Sequence, residues 1–132
     1  MIDFKGKVIV ITGAGAGLGY EYAKFFASRG ANLVLNDLAK NGQGYLIEGI
    51  CKDIESLYKC KAVPVPCSVV DGATIIKAAM DNFGRIDVLI NNAGIVRDKS
   101  FLKMTDDDWN IVMDIHIKGA YACTKAAWPI FK

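Results

Sequence analysis

Long apolar runs are missing from this sequence. The longest near the start, Val8–Ile11, falls far short of the ~20 residues a spanning helix needs, and Asp3 stands where a secretory leader carries positive charge. The expectation is an intracellular protein in water. An excess of one charge is missing too: 16 Lys and Arg against 14 Asp and Glu leave a formal net charge of +2. No like-charge block exceeds Asp106–Asp107–Asp108, so the electrostatic footprint of a nucleic-acid binder is absent. One histidine, His116, and four cysteines without a C-x-x-C pair provide no zinc-ligand spacing, and no metal is expected. Cys51, Cys60, Cys67 and Cys123 therefore read as small apolar residues of a reducing compartment. Repeats, low-complexity tracts and linker-like stretches are also lacking.

What is present is core material. Hydrophobic residues make up 52% of the 132 residues and charged residues 23%, enough for one domain, residues 1–132, with a packed interior. Branched residues from Val8 run into a glycine-dense turn, which reads as a buried strand. Leu18, Tyr22, Phe25 and Phe26 then recur at helical spacing up to Gly30, a C-terminal stop. A second strand is expected in ANLVLND, ending at Asp37, and a second helix over Leu46–Tyr58, weakened by Gly44 and Gly49. KAVPVP reads as a strand at a sheet edge, because Pro64 and Pro66 offer no ladder donors. Ile75, Ile76, Ala79, Met80 and Phe83 mark a third helix, and Ile86–Ile90 a fourth strand running into NNAG. Thr105, with Asp108 three residues on, caps a last helix, in which Gly119 and Pro129 suggest bends.

Strands alternating with helices require right-handed crossovers and a parallel sheet covered on both faces. With a glycine-rich first turn, the expectation is an α/β, Rossmann-like doubly wound sheet of strand order 3-2-1-4. Later strands are absent, so the domain is expected to be incomplete, with an open edge on strand four and a tendency to self-associate.

The glycine spacing narrows the chemistry. G-x-G-x-x-G fails in both registers; what stands is Gly13-x-x-x-Gly17-x-Gly19. Gly13 allows a tight exit from the strand, Gly17 the close approach of a pyrophosphate, and Gly19 the packing of the following helix, with phosphate over its N-terminus. Leu18 lies inside this turn. Asp37, 18 residues beyond Gly19, stands where a carboxylate accepts the ribose hydroxyls of adenosine and repels a 2′-phosphate, which favours NAD.

TGAGAGLG at residues 12–19, Asp37 and NNAG at residues 91–94 together resemble the short-chain dehydrogenase/reductase family, in the family's order. NNAGIVRDKSFLKMTDDDW and KAAWPIFK resemble the dehydrogenase domains of peroxisomal multifunctional β-oxidation enzymes, and most of all the second domain of the fungal form. The resemblance implies oxidation of (3R)-hydroxyacyl-CoA to 3-ketoacyl-CoA with NAD, a peroxisomal setting, and cofactor contact from Asn92, Ala93 and Gly94.

Departures from the family accompany the likeness. Where the family has an aspartate facing the adenine amino group, this chain has Cys67-Ser68-Val69, and Ser68 is the candidate for that role. His116 replaces a frequent helix asparagine; a lone histidine of this kind is more often structural than a proton relay. No catalytic residue is identified within the chain. The family's base is a tyrosine with a lysine four residues on and a serine upstream. Tyr20–Lys24 and Tyr121–Lys125 have that spacing, but Lys7 and Asp108 occupy the serine positions, and both pairs read as chance pairs on helices. By resemblance the serine, tyrosine and lysine belong after Lys132, and the chain alone is expected to be inactive. A non-catalytic module binding a nucleotide or a partner, and a fragment without function, are the alternative readings.

Overall fold

The structure is a computed structural model that describes residues 2–132. Its elements are β1 (Val8–Ile11), α1 (Gly17–Ser28), β2 (Asn32–Asn36), a hairpin of β3 (Lys40–Asn41) and β4 (Gly44–Tyr45), α2 (Leu46–Tyr58) and β5 (Ala62–Val65). Then come α3 (Gly72–Phe83), β6 (Val88–Ile90), a 3-10 turn (Phe101–Lys103), α4 (Asp106–Met113), a π-helical turn (Asp114–Lys118) and α5 (Gly119–Phe131). The main sheet is parallel, in the order β5-β2-β1-β6. With the hairpin set aside, this is the expected order 3-2-1-4.

Side-chain alternation along the strands builds two cores. Ile9, Ile11, Leu33 and Leu35 pack with Ala23, Ala27, Ile47 and Ile54 of α1 and α2 on one face. Val8, Val10 and Val34 pack with Ile75, Ile76, Ala79 and Cys123 of α3 and α5 on the other. Period-two strands buried on both faces are what a doubly wound sheet demands. In α2, Ile47, Ile50, Cys51 and Ile54 are the buried residues, at the spacing that puts one stripe on the sheet. β5 takes the edge, in keeping with Pro64 within it and Pro66 directly after it.

Several expectations need correction. β6 begins at Val88 and not at Ile86. Asp87 N–H still donates to the Val8 carbonyl at 2.9 Å, but its side chain takes Val8 N–H, also at 2.9 Å, in place of a main-chain acceptor, and pairs with Arg85. Gly44 does not weaken α2; it lies in the unforeseen hairpin, where its φ of +124° suits glycine. Gly119 does not introduce a bend of its own. The helical irregularity precedes it, in the π turn, and Gly119 is small because a Cβ there would meet Val69 Cγ1 at 2.6 Å. Pro129 is carried inside the last turns of α5. The Thr105–Asp108 capping box forms as expected.

Candidate nucleotide site

The carboxyl ends of β1, β2, β5 and β6 converge on one pocket, lined by Gly13, Asn36, Asp37, Leu38, Cys67, Ser68, Val69, Ala93, Gly94, Ile95 and Ile115. Its floor is a stitched pair of turns. Thr12, buried at the end of β1, accepts Asn92 N–H and Ala93 N–H on Oγ1, each at 3.0 Å. Asn92 Nδ2 donates back to the Thr12 and Gly13 carbonyls, each at 3.1 Å. The glycine turn and NNAG are thus one hydrogen-bonded unit.

Each expected glycine has a distinct physical reason. Gly13 has φ +65°, and a Cβ there would meet Ala93 Cα at 2.7 Å. Gly17, at φ +57°, has open space where its Cβ would lie, so the backbone at the start of α1 can be approached closely. A Cβ on Gly19 would meet the Gly13 carbonyl at 2.3 Å and Asn92 Nδ2 at 2.6 Å. Gly19 therefore packs the helix against the turn itself and NNAG. No side chain caps α1, and no acidic residue occupies its first turn, which includes exposed Leu18. Uncapped N–H groups and the positive end of the helix dipole form a ready site for an anion.

Asp37 lies just past β2. Its Oδ2 accepts Gly15 N–H at 2.8 Å and its Oδ1 accepts Ala39 N–H at 2.9 Å. Each oxygen keeps further accepting capacity for a ribose hydroxyl. Gly15, to which the glycine spacing assigns no role, is also required: a Cβ there would meet Asp37 Oδ2 at 2.7 Å. The second glycine of GAGAG was the available signal. Ser68 lines the pocket, with Oγ accepting Val70 N–H at 3.4 Å. The glycine cradle and the held carboxylate fit the phosphates and ribose of a dinucleotide; they would supply binding and orientation, and the nicotinamide would supply the hydride chemistry.

His116 sits in the π turn, with Nε2 at 3.0 Å from Ile95 N and 2.9 Å from Ile95 O; the tautomer decides which bond forms. A Cβ on Gly94 would meet its ring at 2.5 Å, so Gly94 lets the imidazole lie against the segment after NNAG. Neither tyrosine–lysine pair lines the pocket. Lys24 pairs with Glu21, and Lys125 donates to Tyr121 at 2.9 Å on the exposed surface of α5. Burial pushes the Cys51 thiol up to about 12 and the Cys123 thiol up to about 11, which keeps both protonated and inert at neutral pH. Cys67, on the pocket wall, is raised as well, first by burial and then by nearby Asp71. Among the described residues no group of three or more His, Cys, Asp or Glu is placed to hold a metal. No helix there is long and apolar enough to cross a membrane.

Fold and turn together define a Rossmann-like α/β domain of the kind that carries dinucleotides at the carboxyl ends of its strands. Residues 7–132 match the short chain dehydrogenase family, and the chain belongs to it. Over 99% of its length it is 48% identical to peroxisomal multifunctional enzyme type 2 of Drosophila melanogaster, covering 23% of that protein. It is 47% identical, again over 99%, to the peroxisomal hydratase-dehydrogenase-epimerase of Neurospora crassa, covering 15% of it. A short chain dehydrogenase/reductase from Burkholderia phymatum, solved in complex with NAD, superimposes with a TM-score of 0.88 at 30% identity. That alignment takes in 98% of this chain and 46% of the solved one. The chain therefore spans under a quarter of these two curated relatives and about half of the solved dehydrogenase.

Proposed function

We propose that this chain is the cofactor-binding half of an NAD-dependent oxidoreductase that converts (3R)-hydroxyacyl-CoA to 3-ketoacyl-CoA in peroxisomal fatty-acid β-oxidation. The observation that carries the reading is Asp37, fixed by Gly15 N–H and Ala39 N–H beside an uncapped helix N-terminus. A carboxylate in that position accepts ribose hydroxyls and repels a 2′-phosphate. The multifunctional peroxisomal relatives support the substrate class and the setting, and the NAD complex of the Burkholderia protein supports the cofactor. Gly13, Gly17, Leu18 and Gly19 hold pyrophosphate, Asp37 the ribose, Ser68 the adenine side, and Asn92, Ala93 and Gly94 the nicotinamide side. His116 positions the segment after NNAG and takes no proton from the substrate. The tyrosine that takes the hydroxyl proton, and the lysine and serine that assist it, are not among these 132 residues, so the chain binds cofactor without turning substrate over.

Calorimetric titration of the wild type and Asp37→Ala with NAD and NADP tests the reading. The expected result is wild-type preference for NAD by at least about tenfold, or 1.4 kcal/mol, shrinking in the variant. Equal wild-type affinities would remove Asp37 from the ribose role, and NADH formation with a 3-hydroxyacyl-CoA would overturn the assignment of the base.

A further inference from the structure

Asn36 ends β2 with a buried side chain for which the nucleotide reading has no use. Its Nδ2 donates to the Val65 carbonyl at 3.0 Å and to the Cys67 carbonyl at 2.8 Å, so both of its N–H bonds are spent on one short stretch of backbone. Those carbonyls bracket a tight turn in which Cys67 N–H also bonds Val65 O, at 3.0 Å. Pro64 lies in β5 and Pro66 directly after it, and neither has an N–H to give. Asn36 thus brings donors to an edge strand poor in them. Its main-chain carbonyl accepts Ala14 N–H at 2.9 Å, which ties the same residue to the glycine turn. The chain leaving the clamp, Cys67-Ser68-Val69, lines the pocket that Asp37 also lines.

We propose that Asn36 is a positioning residue for the adenosine half of the dinucleotide: it clamps the exit of β5 against the glycine turn and so holds the Cys67–Val69 wall in place before the ligand arrives. The inference rests on the nucleotide reading above. A wall held in advance costs the ligand no ordering free energy on binding. A loosened wall charges that cost to every nucleotide carrying adenosine, whatever lies at its other end.

Asn36→Leu keeps the size of the side chain and removes both donors; Asn36→Thr keeps one hydroxyl donor and is the milder variant should the first not fold. The full chain is followed by amide hydrogen exchange and titrated with AMP and with NAD. In Asn36→Leu, the amides of Cys67, Ser68 and Val70 should exchange at least about tenfold faster while those of Ile9–Ile11 stay unchanged. The dissociation constants for AMP and NAD should rise by a common factor of about ten, and Asn36→Thr should fall between. Faster exchange throughout the sheet with unchanged AMP affinity would show a role in general stability only and overturn the proposal. Unchanged exchange at Cys67–Val70 would overturn it as well. A wild-type chain that binds neither AMP nor NAD ends the nucleotide reading and this proposal together, whereas wild-type binding that survives in Asn36→Leu ends this proposal alone.

Discussion

Gly17 and Gly19 stand two positions apart and are glycine for opposite reasons. At Gly17 the backbone is left-handed and the surrounding space open; at Gly19 the space is filled by the Gly13 carbonyl and Asn92 Nδ2. Alanine at 17 therefore costs about 1 kcal/mol of backbone strain and leaves the turn in place, but its methyl group stands where a phosphate would approach. Gly17→Ala should lower the thermal midpoint by a few degrees and weaken NAD binding by more than about tenfold. Alanine at 19 has no such room. Its methyl group would lie 2.3 Å from a backbone oxygen, so Gly19→Ala should displace the turn from NNAG and lose stability and binding together. Thermal unfolding and NAD titration of the two variants side by side distinguish these outcomes. The spacing of the glycines is legible in the sequence. Which of them answers to φ and which to a neighbour is not, because the atoms that crowd Gly13, and Asn92 Nδ2 beside Gly19, come from the segment after β6.

The last helix shows the same division at the level of an element. Its start is written locally. Thr105 Oγ1 accepts Asp108 N–H at 3.1 Å, and Asp108 Oδ2 accepts Thr105 N–H at 3.0 Å. Lys99, which donates to Asp108 at 2.8 Å, does most to hold its carboxyl at about 2, with the Thr105 bonds adding to the effect. That value lies below the ~3.9 of an unfolded aspartate, so the contribution is fully present above about pH 4 and is lost as pH falls toward 2. Asp108→Asn should abolish this part of the acid dependence, and Thr105→Ala should cost about 1 kcal/mol at neutral pH. Far-UV circular dichroism through an acid titration of wild type and variants measures both. The π turn at Asp114–Lys118 has no comparable local signature. It occurs where His116 meets the backbone of Ile95 and Gly94, a contact between segments 21 residues apart.

At the scale of the whole molecule, apolar surface is distributed unevenly. Phe101, Leu102, Trp109, Ile117, Tyr121 and Trp128 are all exposed, Leu102 to 97% and Phe101 to 85%, and all lie in the last third of the chain. Among the described residues β6 sits at the end of the sheet and pairs only with β1. An open strand edge beside exposed aromatic residues recruits other chains. Sedimentation velocity over a concentration range should therefore show a sedimentation coefficient that rises with concentration, with hydrogen exchange fastest in α4 and α5. A concentration-independent monomer with cooperative unfolding would show that these residues close their own core.

The sequence by itself determined what depends on near neighbours. Hydrophobic period set the main strands and helices, the two prolines sent β5 to the edge, Thr105 and Asp108 set a helix start, and the glycine run with Asp37 pointed to the candidate site. Periodicity carries no signal for the hairpin at Lys40–Tyr45, whose strands are two residues each, for the 3-10 turn at Phe101–Lys103, or for the use of Gly15 beneath Asp37. Tertiary structure alone decided the contacts between distant segments. Thr12 and Asn92 are joined 80 residues apart, and Asn36 reaches the turn after β5 across 29 and 31 residues. Such bonds exist only once the parallel sheet has brought the carboxyl ends of its strands to one side, because periodicity fixes which residues face inward and leaves open which buried donor finds which acceptor.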